Sequence, residues 1–300
     1  MATTLVLQAI ASGIATGCVY ALVALSLVIV YKSTDVVNFA GGELVMLGAY
    51  AGLLLLVWLN LPYVAMFALA PVAVFVLGAL FDRLTLRRVA GRKLSKHVDL
   101  VPYVVATIGL SYLLKGVVRV VPYTEEVRRL PPLFSGPPVF AGDVVLQRQD
   151  FAIIVVTAVV MAGLWLFFGH TMAGKALRAT SQNPRAAALV GIPVSTARMA
   201  VWGLSSGIAG IAGLLLAPKL LMTPDMGSVV MLAFAAAAVG GFSSLPGCVV
   251  GGIALGVIQN LVGVFISPQA IAVTPFFVIM LVLLVRPSGL FGEAVALKKV

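Results

Sequence analysis

Charged side chains are scarce in this 300-residue sequence: Asp, Glu, Lys and Arg make up 10% of it, whereas 61% of the residues are hydrophobic. Soluble domains carry about 25% charge, so a soluble enzyme is nearly excluded. There are only two cysteines, Cys18 and Cys248, and both lie in apolar stretches, which excludes a disulfide framework. The two histidines, His97 and His170, have no acidic or cysteine partner at metal-ligand spacing. We therefore expect neither a metal site nor a catalytic centre.

Long apolar runs dominate the chain instead. A membrane-spanning helix needs about 20 apolar residues, so the hydrophobic residues furnish about nine spans. The predicted spans cover residues 5–31, 44–60, 62–81, 98–120, 151–168, 197–221, 229–243, 247–266 and 271–285. The first is expected to be retained, because it is longer than a signal-peptide core and lacks a basic segment before it. The predicted fold class is an all-α polytopic membrane protein with about 8–10 transmembrane helices, some broken.

The positive charge is concentrated in two loops. The sequence holds 20 Lys and Arg against 10 Asp and Glu, a net charge of +10. The basic loops 82–96 and 171–198 are expected to face the cytoplasm. Counting spans outward from them places the N-terminus outside and the C-terminus in the cytoplasm. Most of the positive charge thus indicates how the chain is oriented in the lipid membrane. No nucleic acid partner is expected.

One proline-rich stretch separates the fourth span from the fifth. Residues 121–150 contain five prolines together with charges of both signs. This composition predicts an irregular outer loop, and a loop of that length usually serves as a lid or docking surface. The chain is then a single transmembrane domain over 1–300, with an outer loop at 121–150 and a cytoplasmic loop at 171–196.

Glycines with one spacing occur in both halves of the chain, displaced by 199 residues. They are Gly41, Gly42, Gly48 and Gly52 in the first half, and Gly240, Gly241, Gly247 and Gly251 in the second. Each glycine pair stands where one apolar stretch gives way to the next. This favours a possible internal repeat of broken helices whose freed backbone groups line a cavity. Close helix packing by small residues is the alternative, and both can hold.

Polar residues cluster around the first glycine pair. Asp35, Asn38 and Glu43 lie between the first two spans, where intramembrane carboxylates usually face a cavity or a partner. The alternative is an ordinary cytoplasmic turn in which Lys32 neutralises Asp35. Two further cations near the outer end of the fourth span, at positions 115 and 119, are expected to snorkel to the membrane interface.

The second basic loop contains a short predicted helix. Asn183 is a good N-cap, Pro184 suits the first helical position, and Gly191 ends the helix. Together with the basic residues Arg178 and Arg185, the small apolar faces suit insertion into a groove of a cytosolic partner. The alternative is a simple amphipathic surface helix.

A weak nucleotide-binding signal precedes this helix. Gly169, Gly174 and Lys175 have the spacing of a P-loop, but Ala176 stands where a Ser or Thr must ligate magnesium. The match also follows a transmembrane helix rather than a strand. Any ATP hydrolysis is therefore expected on another chain.

Four blocks of the sequence together point to a known family. They read GCVYALVALSLVIVYKSTDVVNFAGGELVMLGAY at 17–50, TMAGKALRATSQNPRAAALVGI at 171–192, AAVGGFSSLPGCVVGGIALG at 237–256 and RPSGLFG at 286–292. Over essentially its whole length, the chain closely resembles the LivH-type permeases of branched-chain amino acid ABC importers. The resemblance implies an inner-membrane subunit without its own ATPase site. It would move branched-chain amino acids, or related small amino acids and amides.

The same resemblance implies the partners and the coupling site. The partners are a second homologous permease subunit, two cytosolic ATP-binding subunits that hold ATP and Mg, and a periplasmic substrate-binding protein; this chain itself carries no cofactor. The helix at 183–191 would be the coupling helix that docks on the ATPase. There Arg185 replaces the acid of the family's Glu-Ala-Ala pattern, while Gly191 keeps its place. Gly41 stands where relatives often carry His, and Gln259 where they often carry Glu.

These observations lead to a gated, passive transmembrane subunit driven by its partners. The residues expected to line or shape the translocation pathway are Asn38, Gly41, Gly42, Glu43, Gly240 and Gly241. Those expected to couple it to the ATPase are Arg178, Asn183, Pro184, Arg185 and Gly191. The alternative function is an ion-coupled secondary transporter of small solutes, which should carry more buried carboxylates. A membrane-embedded enzyme would need a set of catalytic groups that the sequence does not show.

Overall fold

The computed structural model describes residues 2–90, 101–121, 129–134, 136–141 and 144–292, and nearly all of its regular structure is helical. The helices are α1 (Ala2–Thr34), α2 (Gly41–Val57), α3 (Tyr63–Phe81), α4 (Arg87–Ala90), α5 (Val101–Val120), α6 (Arg148–His170), α7 (Met172–Gln182), α8 (Pro184–Leu189), α9 (Val194–Leu216), α10 (Val229–Gly240), α11 (Leu245–Phe265) and α12 (Thr274–Val285). A π-helical turn (Asp82–Leu86) joins α3 to α4, and 3₁₀ turns (Met226–Ser228, Pro268–Ala272) precede α10 and α12. Two strands, β1 (Val139–Ala141) and β2 (Val144–Leu146), complete the described elements.

Each predicted apolar run corresponds to a helix. Six helices among the described residues are long and apolar enough to cross a membrane, which confirms the all-α polytopic fold class. Three other apolar helices, α2, α10 and α12, are shorter. The 12 residues of α10 or of α12 rise about 18 Å, against about 30 Å of hydrocarbon, so neither crosses alone as a straight helix.

The ends of several helices follow from single residues. Thr171 and Ser244 are N-caps whose side-chain oxygens accept hydrogen bonds from the backbone N–H groups of Gly174 (3.0 Å) and Gly247 (3.1 Å). Gly241 follows the last residue of α10 with φ +100°, a left-handed conformation that ends the helix. The predicted break between the seventh and eighth apolar runs is therefore confirmed.

The described backbone divides into two compact units that each combine distant parts of the chain. The first contains residues 1–28, 131–157 and 229–300, and the second residues 29–130 and 158–228. In the second unit, α2, α3 and α9 pack against one another. In the first, α10 packs against α11 and α12. The predicted single domain over 1–300 stays a prediction.

Glycines permit close helix contacts inside each unit. A Cβ on Gly48 of α2 would collide with the backbone of Gly210 in α9. In the other unit, a Cβ on Gly17 of α1 would lie 2.6 Å from Ile253 Cα of α11. Small residues are typical of such close contacts between membrane helices. Close packing therefore accounts for Gly48, one of the glycines that recur in both halves.

The stretch 121–150 contains two paired strands, which the predicted irregular outer loop did not include; the outer position of this stretch stays a prediction. β1 pairs antiparallel with β2, with Val139 opposite Leu146. The side chain of Gln8 bonds to both backbone groups of Val145, donating at 2.7 Å and accepting at 2.8 Å. Valine-rich segments favour strands, and this local preference outweighs the nearby prolines. Residues 122–128, 135 and 142–143, and Arg92, Lys93 and Lys96 of the first basic loop, lie outside the described residues.

Candidate functional site

A turn built on Asn38 precedes α2. The side-chain Oδ1 of Asn38 accepts a hydrogen bond from the Ala40 N–H (3.0 Å), and its backbone oxygen accepts one from the Gly41 N–H (3.2 Å). Asn38 is buried, whereas Asp35 is exposed and has φ +54°. The predicted break between the first two apolar runs is confirmed, and Asn38 stabilises the turn that starts α2.

Glu43 lies in the first turn of α2 and is 5% exposed. Its Oε1 is 3.6 Å from Lys115 Nζ on α5, and the same ammonium group is 3.8 Å from Asp225 Oδ1. Glu43 Oε2 is buried and accepts no hydrogen bond from any described residue. A buried acceptor without a partner costs about 1–3 kcal/mol, and more when it is charged. This oxygen is thus suited to bind a cationic group.

Lys115 differs from the expectation drawn from the sequence. It forms an ion pair with a buried carboxylate, where we expected it to snorkel to the membrane interface, because an unpaired buried carboxylate is costly. The carboxylates of Glu43 and Asp225 both lie within 4 Å of the Lys115 ammonium group, so this cation joins the start of α2 to the turn before α10.

Glycine is required where α2 begins. A Cβ on Gly42 would collide with the backbone carbonyl of Gly227, in the 3₁₀ turn that follows Asp225. Backbone therefore approaches backbone beside the Glu43–Lys115 pair, as expected where side chains are kept out. The structure brings together Asn38, Gly41, Gly42 and Glu43 of the predicted pathway residues.

The second glycine pair lies beneath the C-terminal segment of the described chain. The N–H groups of Leu290 and Phe291 donate to the carbonyls of Val239 (2.8 Å) and Gly240 (3.1 Å). A Cβ on Gly241 would lie 2.6 Å from the backbone nitrogen of Gly292. Residues 286–292 thus satisfy the carbonyl groups at the end of α10. The freed backbone groups here meet protein rather than a cavity, and no local pattern predicts this contact.

The short helix predicted in the loop 171–198 is present as α8. Asn183 Oδ1 accepts a hydrogen bond from the Ala186 N–H (3.0 Å), and Pro184 occupies the first turn. Gly191 has φ +84°, and the Ile192 N–H donates to the Ala187 carbonyl (3.0 Å), which closes the helix. This local structure is confirmed residue by residue.

The surface of α8 has the composition of a docking site. Arg185 on α8 and Arg178 on α7 are exposed. Leu189 and Val190, at the end of α8, are 89% and 76% exposed. Two large exposed apolar side chains, on a loop that also exposes two arginines, are suited to a partner groove with an acidic rim. The arginines and the small apolar faces of this helix follow from the sequence, whereas the large exposed side chain of Leu189 was not predicted.

An ion pair links the end of the α3 helix to the start of α9. Arg198 Nε donates to Asp82 Oδ1 at 2.7 Å, and the Asp82 side chain is 2% exposed. Because α9 follows α8 after a short turn, this pair connects the loop 171–198 with the helix core of its unit. Sequence reasoning missed it, since 116 residues separate the partners.

Long apolar helices, two broken positions and an exposed capped helix define a multi-pass membrane transport component. A family model described as "Branched-chain amino acid transport system / permease component" matches residues 9–285. The chain belongs to this family of permease components. Such a component works with partner subunits.

Curated relatives agree over nearly the full length. The high-affinity branched-chain amino acid transport system permease protein BraD of Pseudomonas aeruginosa is 32% identical, with 96% of each chain covered. LivH of Escherichia coli K12 is 29% identical over 96% of each chain. A probable LivH of Methanocaldococcus jannaschii is 31% identical, covering 90% of this chain and 88% of that one. The family identified from the sequence blocks is confirmed.

Proposed function

We propose that this chain is the permease subunit of an ABC importer that moves branched-chain amino acids, or related small amino acids and amides, across the bacterial inner membrane. It pairs with a second homologous permease, two cytosolic ATPases that bind ATP and Mg, and a periplasmic substrate-binding protein. The chain has no ATPase site of its own, its N-terminus is outside, and its C-terminus is cytoplasmic. Family membership over residues 9–285 and the basic, exposed α7–α8 loop support this assignment.

Glu43 carries the proposal for the route. A zwitterionic amino acid presents an ammonium group, which is the complement of the buried, unpartnered Glu43 Oε2. The carboxylate of the amino acid substrate complements Lys115, whose side chain is 33% exposed and therefore reachable. Asn38 and the Gly41–Gly42 pair hold the first turn of α2 in place. Gly240 and Gly241 shape the route indirectly, through the end of α10.

ATP hydrolysis on the partner subunits drives transport through their contact with α8. We infer that closure of the ATPases moves α8, and that α9 transmits the movement to α3 through the Arg198–Asp82 pair. The exposed apolar tip of α8 and its caps at Asn183 and Gly191 support this step, because a docking helix must keep its conformation when the partner moves it.

The coupling role is tested with two variants in reconstituted vesicles. Arg185→Glu reverses an exposed charge, and Gly191→Pro forbids the left-handed backbone at φ +84°. Each should reduce substrate uptake per ATP hydrolysed while the complex still assembles. Arg185→Lys keeps the charge and serves as the matched control. Normal uptake per ATP in both variants would refute docking through α8.

A further inference from the structure

A cavity of about 220 Å³ lies between the π-helical turn after α3 and the start of α9. Its walls are formed by Asp82, Arg83, Arg87, Ser195, Thr196 and Met199. We call it the Arg83–Arg87 pocket. One water molecule takes about 30 Å³ of liquid, so the pocket has room for a group of several heavy atoms. It is separate from the Glu43 site and from the exposed tip of α8.

The pocket carries excess positive charge. Asp82 is its single acidic side chain, and it is already engaged by Arg198 at 2.7 Å. With Arg83 and Arg87 the balance of this group is three positive charges against one negative, a net charge of +2. Among the described residues, neither Arg83 nor Arg87 forms an ion pair within 4.0 Å, and Arg87 acts on Asp82 as a more distant charge. The arginines are therefore available to an anion.

Neutral donors complete the arrangement. Ser195 and Thr196 are exposed, line the pocket within the first turn of α9, and each carries a hydroxyl group. The N-cap of this 23-residue helix is Pro193, which offers no side-chain acceptor, and its first turn contains no acidic residue. The positive end of the helix dipole thus adds to the arginines. Arginine forks combined with hydroxyl donors match the geometry of a phosphate group.

We propose that the Arg83–Arg87 pocket binds a phosphate group, either in the head group of an anionic phospholipid or as free phosphate. Apolar side chains beside the pocket support the lipid: Leu80 and Leu84, on the same helical segment, are 48% and 47% exposed. Acyl chains would contact them while the head group occupies the pocket. Basic pockets between transmembrane helices bind anionic head groups in this way.

The test uses the purified, delipidated complex of this chain with its partner subunits, in native mass spectrometry. Phosphatidylglycerol, phosphatidylcholine and inorganic phosphate are titrated separately. The double variant Arg83→Gln/Arg87→Gln should bind phosphatidylglycerol roughly 25-fold more weakly than the wild type, as expected for two lost cationic contacts. Arg88→Gln is the matched control, because Arg88 is exposed on the same segment but does not line the pocket.

Each outcome decides the proposal. Tight binding of phosphatidylglycerol alone assigns the lipid, whereas tight binding of phosphate alone assigns the free ion. Equal losses for Arg88→Gln and the double variant would overturn the pocket in favour of general surface charge, and unchanged binding in the double variant would overturn it outright. Should the double variant fail to fold, Thr196→Val replaces it and must lower the same affinity without affecting binding of phosphatidylcholine.

Discussion

Removing Arg198 should destabilise the protein more than removing its partner. Arg198→Met removes the 2.7 Å contact to Asp82, whose side chain is 2% exposed, and leaves the more distant Arg87 charge beside that carboxylate. Breaking a buried pair in this way costs about 3–5 kcal/mol. Asp82→Asn should cost less, because the Arg198 side chain is 21% exposed and can regain water. The free energy of unfolding of the purified protein in a denaturing detergent measures both.

The double variant provides the decisive comparison. Asp82→Asn/Arg198→Met removes both charges, so it should recover most of the stability lost in Arg198→Met alone. The same variant should still reduce substrate uptake per ATP, because α9 is no longer tied to α3. An Arg198→Met protein as stable as the wild type, or a double variant whose loss equals the sum of the single losses, would refute the reasoning.

Three further substitutions have expected outcomes. Gly17→Ala places a Cβ 2.6 Å from the α11 backbone and should cost about 1–3 kcal/mol in unfolding free energy, whereas Gly109→Ala, in open space, should cost nothing. Lys115→Met should cost about 1–2 kcal/mol and lower uptake, since it leaves Glu43 unpaired; Asp225→Asn, at a 73% exposed side chain, is its control. Gly241→Ala should lower both the melting temperature and the uptake rate, because φ +100° and the covering backbone exclude a side chain. A loss of uptake at an unchanged melting temperature would argue for direct contact with substrate.

Local signals were sufficient to predict the long helices and the short helix α8. Apolar runs longer than about 18 residues predict membrane helices because the backbone must satisfy its own hydrogen bonds in lipid. The start and end of α8 follow from Asn183, Pro184 and Gly191, whose effects extend over only a few neighbouring residues. Such features are encoded within one turn of the chain, and sequence reasoning places them to within a few residues.

Contacts between distant segments could not be predicted in this way. Local sequence around Lys115 predicts a position at the membrane interface, because its partner Glu43 lies on another helix and is not apparent from neighbouring residues. Gly241 was assigned to a cavity because nothing nearby indicates that residues 286–292 return to cover it. In both cases the conformation depends on a polar group that is buried against a residue far along the chain. A single sequence does not reveal that neighbour.

Uptake of labelled leucine into vesicles tests the central claim most directly. The vesicles contain this chain with its candidate permease partner and ATPases, the binding protein is supplied outside, and isoleucine, valine, urea and small amides are compared in parallel. The account predicts accumulation of leucine that requires enclosed ATP and this chain, and that persists when ion gradients are collapsed. Accumulation that follows an imposed proton or sodium gradient without ATP would contradict it, and would identify an ion-coupled transporter instead.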